Sequence, residues 1–303
     1  MVEPTIHRVA VGFGGDERSH DALALGIALA RSAGARLDLI LVIRQDSAFK
    51  QEYPPVGSVV GIIAEQAQQW IAEAEAVIPA GIRHHSHIRP AGSVAEGLVS
   101  AVQELDSDVL VTGSGIGFGR IMTHPAVTAL LHSSPVPVAL APSGYRTNTQ
   151  ITDVMAAVSA AHPDHQVTRA SEAWARQLGA AVTRVTFEDK ESGSGAGSAG
   201  ADPAPDSGSA QSTTRLYATG RTLRHAVDSV DWPRGGILLI GSSPLARRRH
   251  IFLGMTAARV LSHLPIPMIL LPREPEPTAP EPRTADTREA DPSEPDPSAS
   301  PAR

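Results

Sequence analysis

Two loops in this sequence concentrate residue types able to hold an anion. Arg247-Arg-Arg-His250 sets three fixed cations beside one titratable ring, and guanidinium forks match phosphate and carboxylate geometry. The segment from Gly113 to Thr123 carries Gly113, Gly115, Gly117 and Gly119, a run with little side-chain obstruction where backbone N–H groups can approach a phosphate. Neither pattern is specific. Charge runs are commonly just solvated, and glycine spacing alone also fits a plain connector, the reading we favour for the glycine loop.

Other residues invite chemistry and mostly fail the test. On a strand, His84-His85-x-His87 sends His85 and His87 to one face and His84 to the other, enough for two metal ligands and not three. With no carboxylate pattern nearby, no metal site is expected. In His162-Pro-Asp-His165, Asp164 suits a helix cap, and Ser93 after Gly92 likewise reads as a helix start. No Gly-x-Ser-x-Gly elbow, Walker sequence or zinc-type histidine pair occurs. Cysteine is absent, so thiol catalysis and disulfides are excluded, as suits a reducing compartment. No activated nucleophile can be named, and the chain is expected not to be an enzyme.

The elements that must position these loops come twice. Ala28-Leu-Ala-Arg-Ser-Ala-Gly-Ala-Arg-Leu-Asp-Leu-Ile-Leu-Val42 returns as Ala173-Trp-Ala-Arg-Gln-Leu-Gly-Ala-Ala-Val-Thr-Arg-Val-Thr-Phe187. Asp108-Val-Leu-Val-Thr-Gly-Ser-Gly115 matches Gly236-Ile-Leu-Leu-Ile-Gly-Ser-Ser243, and Pro135-Val-Pro-Val-Ala-Leu-Ala-Pro142 matches Pro265-Ile-Pro-Met-Ile-Leu-Leu-Pro272. Blocks repeated in the same order across so long a period imply two complete domains, each with its own core, rather than solenoid units.

In the first copy, strands are expected at 7–13, 37–43, 82–88, 108–112 and 136–141, with helices following Asp16, at 59–77, after Ser93 to Glu104, and at 125–132. The strands are apolar without alternation, as in a parallel sheet covered on both faces by right-handed crossovers. The second copy repeats this with strands at 154–158, 181–187, 215–219, near 236–240 and at 266–271, and helices at 164–178 and 222–230. Its second helix is replaced by Glu191-Ser-Gly-Ser-Gly-Ala-Gly-Ser-Ala-Gly-Ala-Asp-Pro-Ala-Pro, a tract too polar and flexible to pack, read as a disordered insert over 190–213. The expected fold is α/β: two tandem Rossmann-like open parallel five-stranded sheets with flanking helices. The domains span 1–146 and 152–272, followed by a disordered acidic, proline-rich tail at 273–303.

Charge divides unevenly. The chain of 303 residues carries a formal −6, of which the tail holds −4, from eight acidic residues against four arginines. The near-neutral body shows no global attraction for nucleic acid or anionic membrane. No apolar run approaches the roughly 18 residues of a membrane span, and Met1-Val-Glu-Pro-Thr lacks the pattern of a signal peptide. No membrane insertion is expected, and the location is expected to be cytoplasmic.

Val9-Ala-Val-Gly-Phe-Gly-Gly-Asp-Glu-Arg-Ser-His-Asp-Ala-Leu23, the later Ser107-Asp-Val-Leu-Val-Thr-Gly-Ser-Gly115 and Ser134-Pro-Val-Pro-Val138 together resemble a universal stress protein domain. The second copy is similar to it more faintly at its start and well at its end. The resemblance implies ligand sites at the carboxyl ends of the strands and pairing of domains across their last strands, here as an intramolecular pseudo-dimer, with a further homodimer left open. It also implies, for ATP-binding members, an Asp after strand one and a loop Gly-x2-Gly-x9-Gly-Ser/Thr, whose glycines and small polar pair suit a phosphate at a helix start.

This chain departs from that pattern. Gly14 stands at the Asp position, with Asp16 two residues away. Gly113 opens the first loop correctly, but Ile116 takes the second glycine position, and the closing pair falls on His124-Pro125 or Ala126-Val127. In the second copy Ser159 holds the Asp position and the spacing Gly241-x2-Pro244-x9-Gly254-Met255 survives with changed residues. Proline removes a donor and methionine a hydroxyl. The candidate ligand-face residues are Gly14, Gly113, Gly115, Gly117, Gly119, Gly241, Arg247, Arg248 and Gly254. The reading is a non-enzymatic tandem universal stress protein with a stress-response or regulatory role, acting through protein partners, with no cofactor expected and ordinary ATP binding lost. The alternative is an adenine-nucleotide or phosphorylated-ligand binder using the divergent glycine loop or the arginine loop.

Overall fold

The computed structural model describes residues 4–44, 59–114, 125–146, 150–158, 164–189, 214–242 and 251–273. The expected insert at 190–213, the tail beyond Arg273 and the expected sites at Gly115, Gly117, Gly119, Arg247 and Arg248 lie outside them.

β1 (Arg8–Phe13) leads into α1 (Glu17–Ala33), whose start is fixed by the Asp16 carboxylate accepting the Ser19 N–H and whose end is a left-handed Gly34 at φ 66°. Both are favoured helix punctuation, an acidic N-cap and a C-terminal glycine. The chain continues through β2 (Arg36–Arg44), α2 (Val59–Ala76), β3 (His84–Ala91), α3 (Val94–Glu104), β4 (Val109–Gly113), α4 (Pro125–Ser133) and β5 (Val138–Ala141). The second half runs β6 (Asp153–Ala157), α5 (His165–Leu178), β7 (Ala181–Asp189), β8 (Thr214–Gly220), α6 (Leu223–Asp228), β9 (Gly236–Gly241), α7 (Met255–Leu261) and β10 (Met268–Leu271). Ser93, Asp164 and Thr222 cap α3, α5 and α6 with side-chain oxygens.

The two five-stranded parallel sheets are continuous. The strand order is β3-β2-β1-β4-β5-β10-β9-β6-β7-β8, one sheet of ten strands. Every neighbour pair is parallel except β5 and β10, which run antiparallel with Val138 opposite Leu270, Ala139 opposite Ile269 and Leu140 opposite Met268. The halves therefore repeat one strand order about a pseudo-twofold axis at that pair. On one face α1, α2 and α5 cover Val9, Val11, Leu37, Leu39, Val154 and Ile237. On the other α3, α4, α6 and α7 cover Ala10, Ile40, Leu110, Met155 and Leu238.

Side chains reinforce the junction. Gln177 of α5 accepts the Ile6 N–H at 2.8 Å and donates to the Ile6 and Ala33 carbonyls at 2.7 and 3.3 Å. Ser32 of α1 accepts the N–H of Ile151 at 2.9 Å. Asp21, buried in α1, accepts the Gly144 N–H at 3.1 Å and pairs with the Arg146 guanidinium. Tyr145 between them is buried, which pushes its hydroxyl up to about 12.

Gln177→Ala strands the N–H and carbonyl of the buried Ile6, and a buried unpaired polar group costs about 1–3 kcal/mol. The expected result is a lower urea midpoint with an unchanged slope. A loss below about 0.5 kcal/mol, the scale of an ordinary surface change, means the bridge does not secure the junction.

Candidate functional site

In an open α/β sheet, ligands sit where the strand order reverses, outside the carboxyl ends. In the first half β1 is the point of reversal, flanked by β2 and β4. A cavity of about 230 Å³ opens there. Its walls include Phe13, Ile40, Val42 and Leu98, and its polar rim is Asp16, Arg18 and Thr112. Apolar strand ends and the first turn of α3 make it a small, largely apolar recess.

Asp16 is the carboxylate on this rim, and its oxygens are occupied. One accepts the Ser19 N–H at 2.9 Å, and the other meets Arg18 at Nε, 2.9 Å, and Nη2, 2.7 Å. Burial alone raises its pKa, but the Ser19 N–H and the Arg18 guanidinium outweigh it and hold the carboxyl below its ordinary value. The group is thus an ionised helix cap with its own counterion.

The glycines divide into two kinds. A Cβ on Gly14 would meet nothing within 4 Å, so this position is open. A Cβ on Gly113 would lie 2.3 Å from the Arg18 carbonyl oxygen, so the end of β4 is glycine because α1 starts against it. The second half repeats the device: a Cβ on Gly241 would lie 2.0 Å from an Asp164 carboxylate oxygen, whose partner oxygen accepts the Gln166 and Val167 N–H groups at 3.0 and 3.2 Å. Gly254 stands at the start of α7 and gives it no side-chain cap. Sequence reasoning missed Gly15, left-handed at φ 75° with the Trp70 ring at 2.6 Å from where its Cβ would stand. Trp70 was legible as an aromatic on α2; its contact across the strand-one turn was not.

His85 and His87 share one face of β3, as expected, while the surroundings of that face differ from expectation. No carboxylate was expected near His85 and His87, yet the fully buried Asp38 of β2 accepts from His87 Nε2 at 3.1 Å. Its register neighbour on β3 is His85, which contacts Arg36. Arg8 Nε at 3.4 Å and Arg36 Nη2 at 3.1 Å surround the same carboxylate. The available signal was the one acid inside the apolar run Leu37-Asp-Leu-Ile-Leu. Two guanidiniums neutralise Asp38, and among the described residues no group of three His, Asp or Glu is placed to hold a metal. The cluster is structural: it ties β1, β2 and β3 together, and Arg8 also donates to the Leu105 carbonyl at the end of α3.

With this geometry in hand, comparison with known proteins gives a consistent result. Residues 5–142 match the model of the universal stress protein family. Universal stress protein Rv2319c of Mycobacterium tuberculosis and Universal stress protein Mb2346c of Mycobacterium bovis are each 26% identical over 293 residues, 87% of this chain and 99% of theirs. Among solved structures, a universal stress protein from Archaeoglobus fulgidus DSM 4304 superposes with a TM-score of 0.62 at 15% identity, over 88% of this chain and 98% of that one. The functionally unknown protein PA1789 from Pseudomonas aeruginosa PAO1 follows at 0.51 and 14% identity, over 89% and 93%. These two structures share the fold, and the sequence match carries the family. Residues 5–142 are therefore a universal stress protein domain, and universal stress proteins align along nearly the whole length of this chain.

Proposed function

We propose that the protein is a non-enzymatic regulatory member of the family, acting in a stress response through protein partners and without binding ATP in the pose of nucleotide-binding members. It is built as two units, 1–146 and 152–272, each half of the paired sheet, and the location proposed for it is the cytoplasm. The observation that carries this reading is the commitment of Asp16. Among the described residues, the one carboxylate on the first-half cavity caps α1 and pairs with Arg18, while Gly14 at the expected acid position offers no side-chain group. The cavity size agrees. About 230 Å³ is below the roughly 300–1,000 Å³ of ordinary small-molecule sites.

A second reading has its own support. Arg18, with 44% of its side chain exposed at the rim, and Arg247 and Arg248 in the second half supply cations for a phosphorylated ligand. Calorimetric titration of ATP, ADP, AMP and a cyclic dinucleotide separates the two. The expected outcome is no saturable heat; binding at one site per chain overturns the first reading. If binding is found, its loss in Arg247→Ala with Arg248→Ala assigns it to the arginine loop, and its persistence assigns it to the first-half cavity.

The glycines give an independent check without any ligand. Gly113→Ala forces a methyl into the Arg18 carbonyl and is expected to cost about 1–3 kcal/mol, the usual range for overpacking. Gly14→Ala enters open space and is expected to stay within about 0.5 kcal/mol. Equal thermal midpoints for the two variants would remove the packing explanation for Gly113.

A further inference from the structure

The outer strands of the two halves differ in one systematic way. In the first half, β2 and β3 present Leu39, Leu41 and Ile43 to α2, which packs Ala67, Ile71 and Ala74 onto the leucines, and Ser86 of β3 bonds to Glu75 of α2. Aligning β2 with β7 and the caps Ser93 and Thr222 with each other gives the equivalents in the second half. Leu39, Leu41 and Ile43 become Arg184, Thr186 and Glu188, and Ser86 and Ile88 become Arg215 and Tyr217. The strand registers agree: Leu39 pairs with Ser86 and Arg184 with Arg215, Leu41 with Ile88 and Thr186 with Tyr217.

This face of β7 and β8 is therefore polar where its counterpart is a core. Tyr217 is 56% exposed, and Arg215 and Thr219 are exposed beside it. Arg184 reaches Glu172 of α5 at 3.3 Å, whereas no carboxylate among the described residues pairs with Arg215. The strip offers a guanidinium pair at one end, an aromatic ring in the middle and Glu188 at the other end. An aromatic ring flanked by cations fits an extended segment that alternates proline with acid, since proline-rich segments dock on exposed aromatics and carboxylates pair with arginine.

The chain contains such a segment. Glu274-Pro-Glu-Pro-Thr-Ala-Pro-Glu-Pro282 begins immediately after the last described residue, Arg273. It leaves the fold on the same face, because Gln166 in the first turn of α5 donates to the Pro272 carbonyl at 2.6 Å. From β10 the path crosses β9, β6 and β7 to β8, four strand spacings or about 19 Å. Residues 274–282 in polyproline II form extend about 28 Å, so the reach is sufficient. The connection 190–213 also has to return across this half, yet a strand of seven residues spans only about 23 Å. A third of that connection suffices, and the strip need not be filled by it.

We propose that the acidic, proline-rich C-terminal segment docks intramolecularly on the face of β7 and β8 that no helix among the described residues covers, with its carboxylates at Arg215 and Arg184 and a proline on Tyr217. Tethering raises the local concentration of the segment into the millimolar range, so weak contacts suffice and a competing acidic partner can displace it.

The absence of cysteine makes the test direct in the full chain. Thr214→Cys, on the opposite face of β8, and Thr278→Cys carry nitroxide labels for a dipolar distance measurement. The expected result is one narrow distance population at low salt, broadened by 0.5 M salt as exposed charges are screened. Arg215→Glu with Tyr217→Ala is expected to broaden it too, as is Glu281→Lys with Asp286→Lys, which changes acids far enough along the segment to reach the strip and leaves the folded part untouched. A broad distribution in the otherwise native chain overturns the proposal. So does a narrow one that both pairs of substitutions leave unchanged, because the segment then rests elsewhere. Loss of the short distance on dilution with excess unlabelled chain overturns the intramolecular docking in favour of a second copy.

Discussion

The antiparallel pairing of β5 with β10 is the constraint on which the rest of the structure depends. Each half alone ends on a short, wholly apolar strand, Val138–Ala141 or Met268–Leu271, buried at every position. Such an edge is a template for pairing with another chain. Joining the two edges removes both at once and makes one sheet of ten strands. The remaining edges, β3 and β8, carry histidines, arginines and threonines, so the apolar pairing potential is spent inside the molecule. The pairing also inverts one half relative to the other, placing the carboxyl ends of the two sets of parallel strands at opposite ends of the sheet.

That inversion explains why the side-chain contacts across the junction are polar and specific while the sheet contact is backbone and apolar. α1 and α5 lie on the same face, and the end of one helix meets the chain entering the other half. Gln177 there satisfies both main-chain groups of Ile6, and Asp21 holds the connecting segment at Gly144 and Arg146. A bare apolar seam tolerates sliding by two residues, because side-chain alternation has that period. Fixed hydrogen bonds to named main-chain atoms do not, and they set the register that the three-residue ladder leaves weak.

Element type and order were legible where strands are continuous apolar runs, as in β1, β2, β4, β5, β9 and β10, and where α1, α3, α5 and α6 carry capping residues, so local signals agreed with the tertiary outcome. The helix assigned over 222–230 is shorter, Leu223–Asp228, because Val227 closes the buried face and the Trp232 indole N–H then takes the Val227 carbonyl. α7 escaped assignment: its seven residues are too few to show a period. The site was less legible than the fold. Asp38 was visible only as an acid inside an apolar run, and no local pattern says that Arg8, a whole crossover earlier, and His87, another crossover later, converge on it. Gly113 and Gly241 were read as ligand-face glycines because spacing carries no information about what lies above a strand end.

Those two glycines show how one residue type serves two ends. At a strand's carboxyl end next to a helix start, the absence of a side chain admits either a phosphate or the helix itself. Here the helix start occupies the space in both halves, through Arg18 in one and Asp164 in the other. A backbone that has closed onto its own helix cannot also open toward an anion without giving up that contact. Among the described glycines lining the first-half cavity, Gly14 is the one with room to spare, and it brings no chemistry of its own. At Gly113 and Gly241 the fold thus uses the carboxyl ends of its strands for packing, and on the outer strands of the second half polar residues replace the apolar ones that seat a helix in the first.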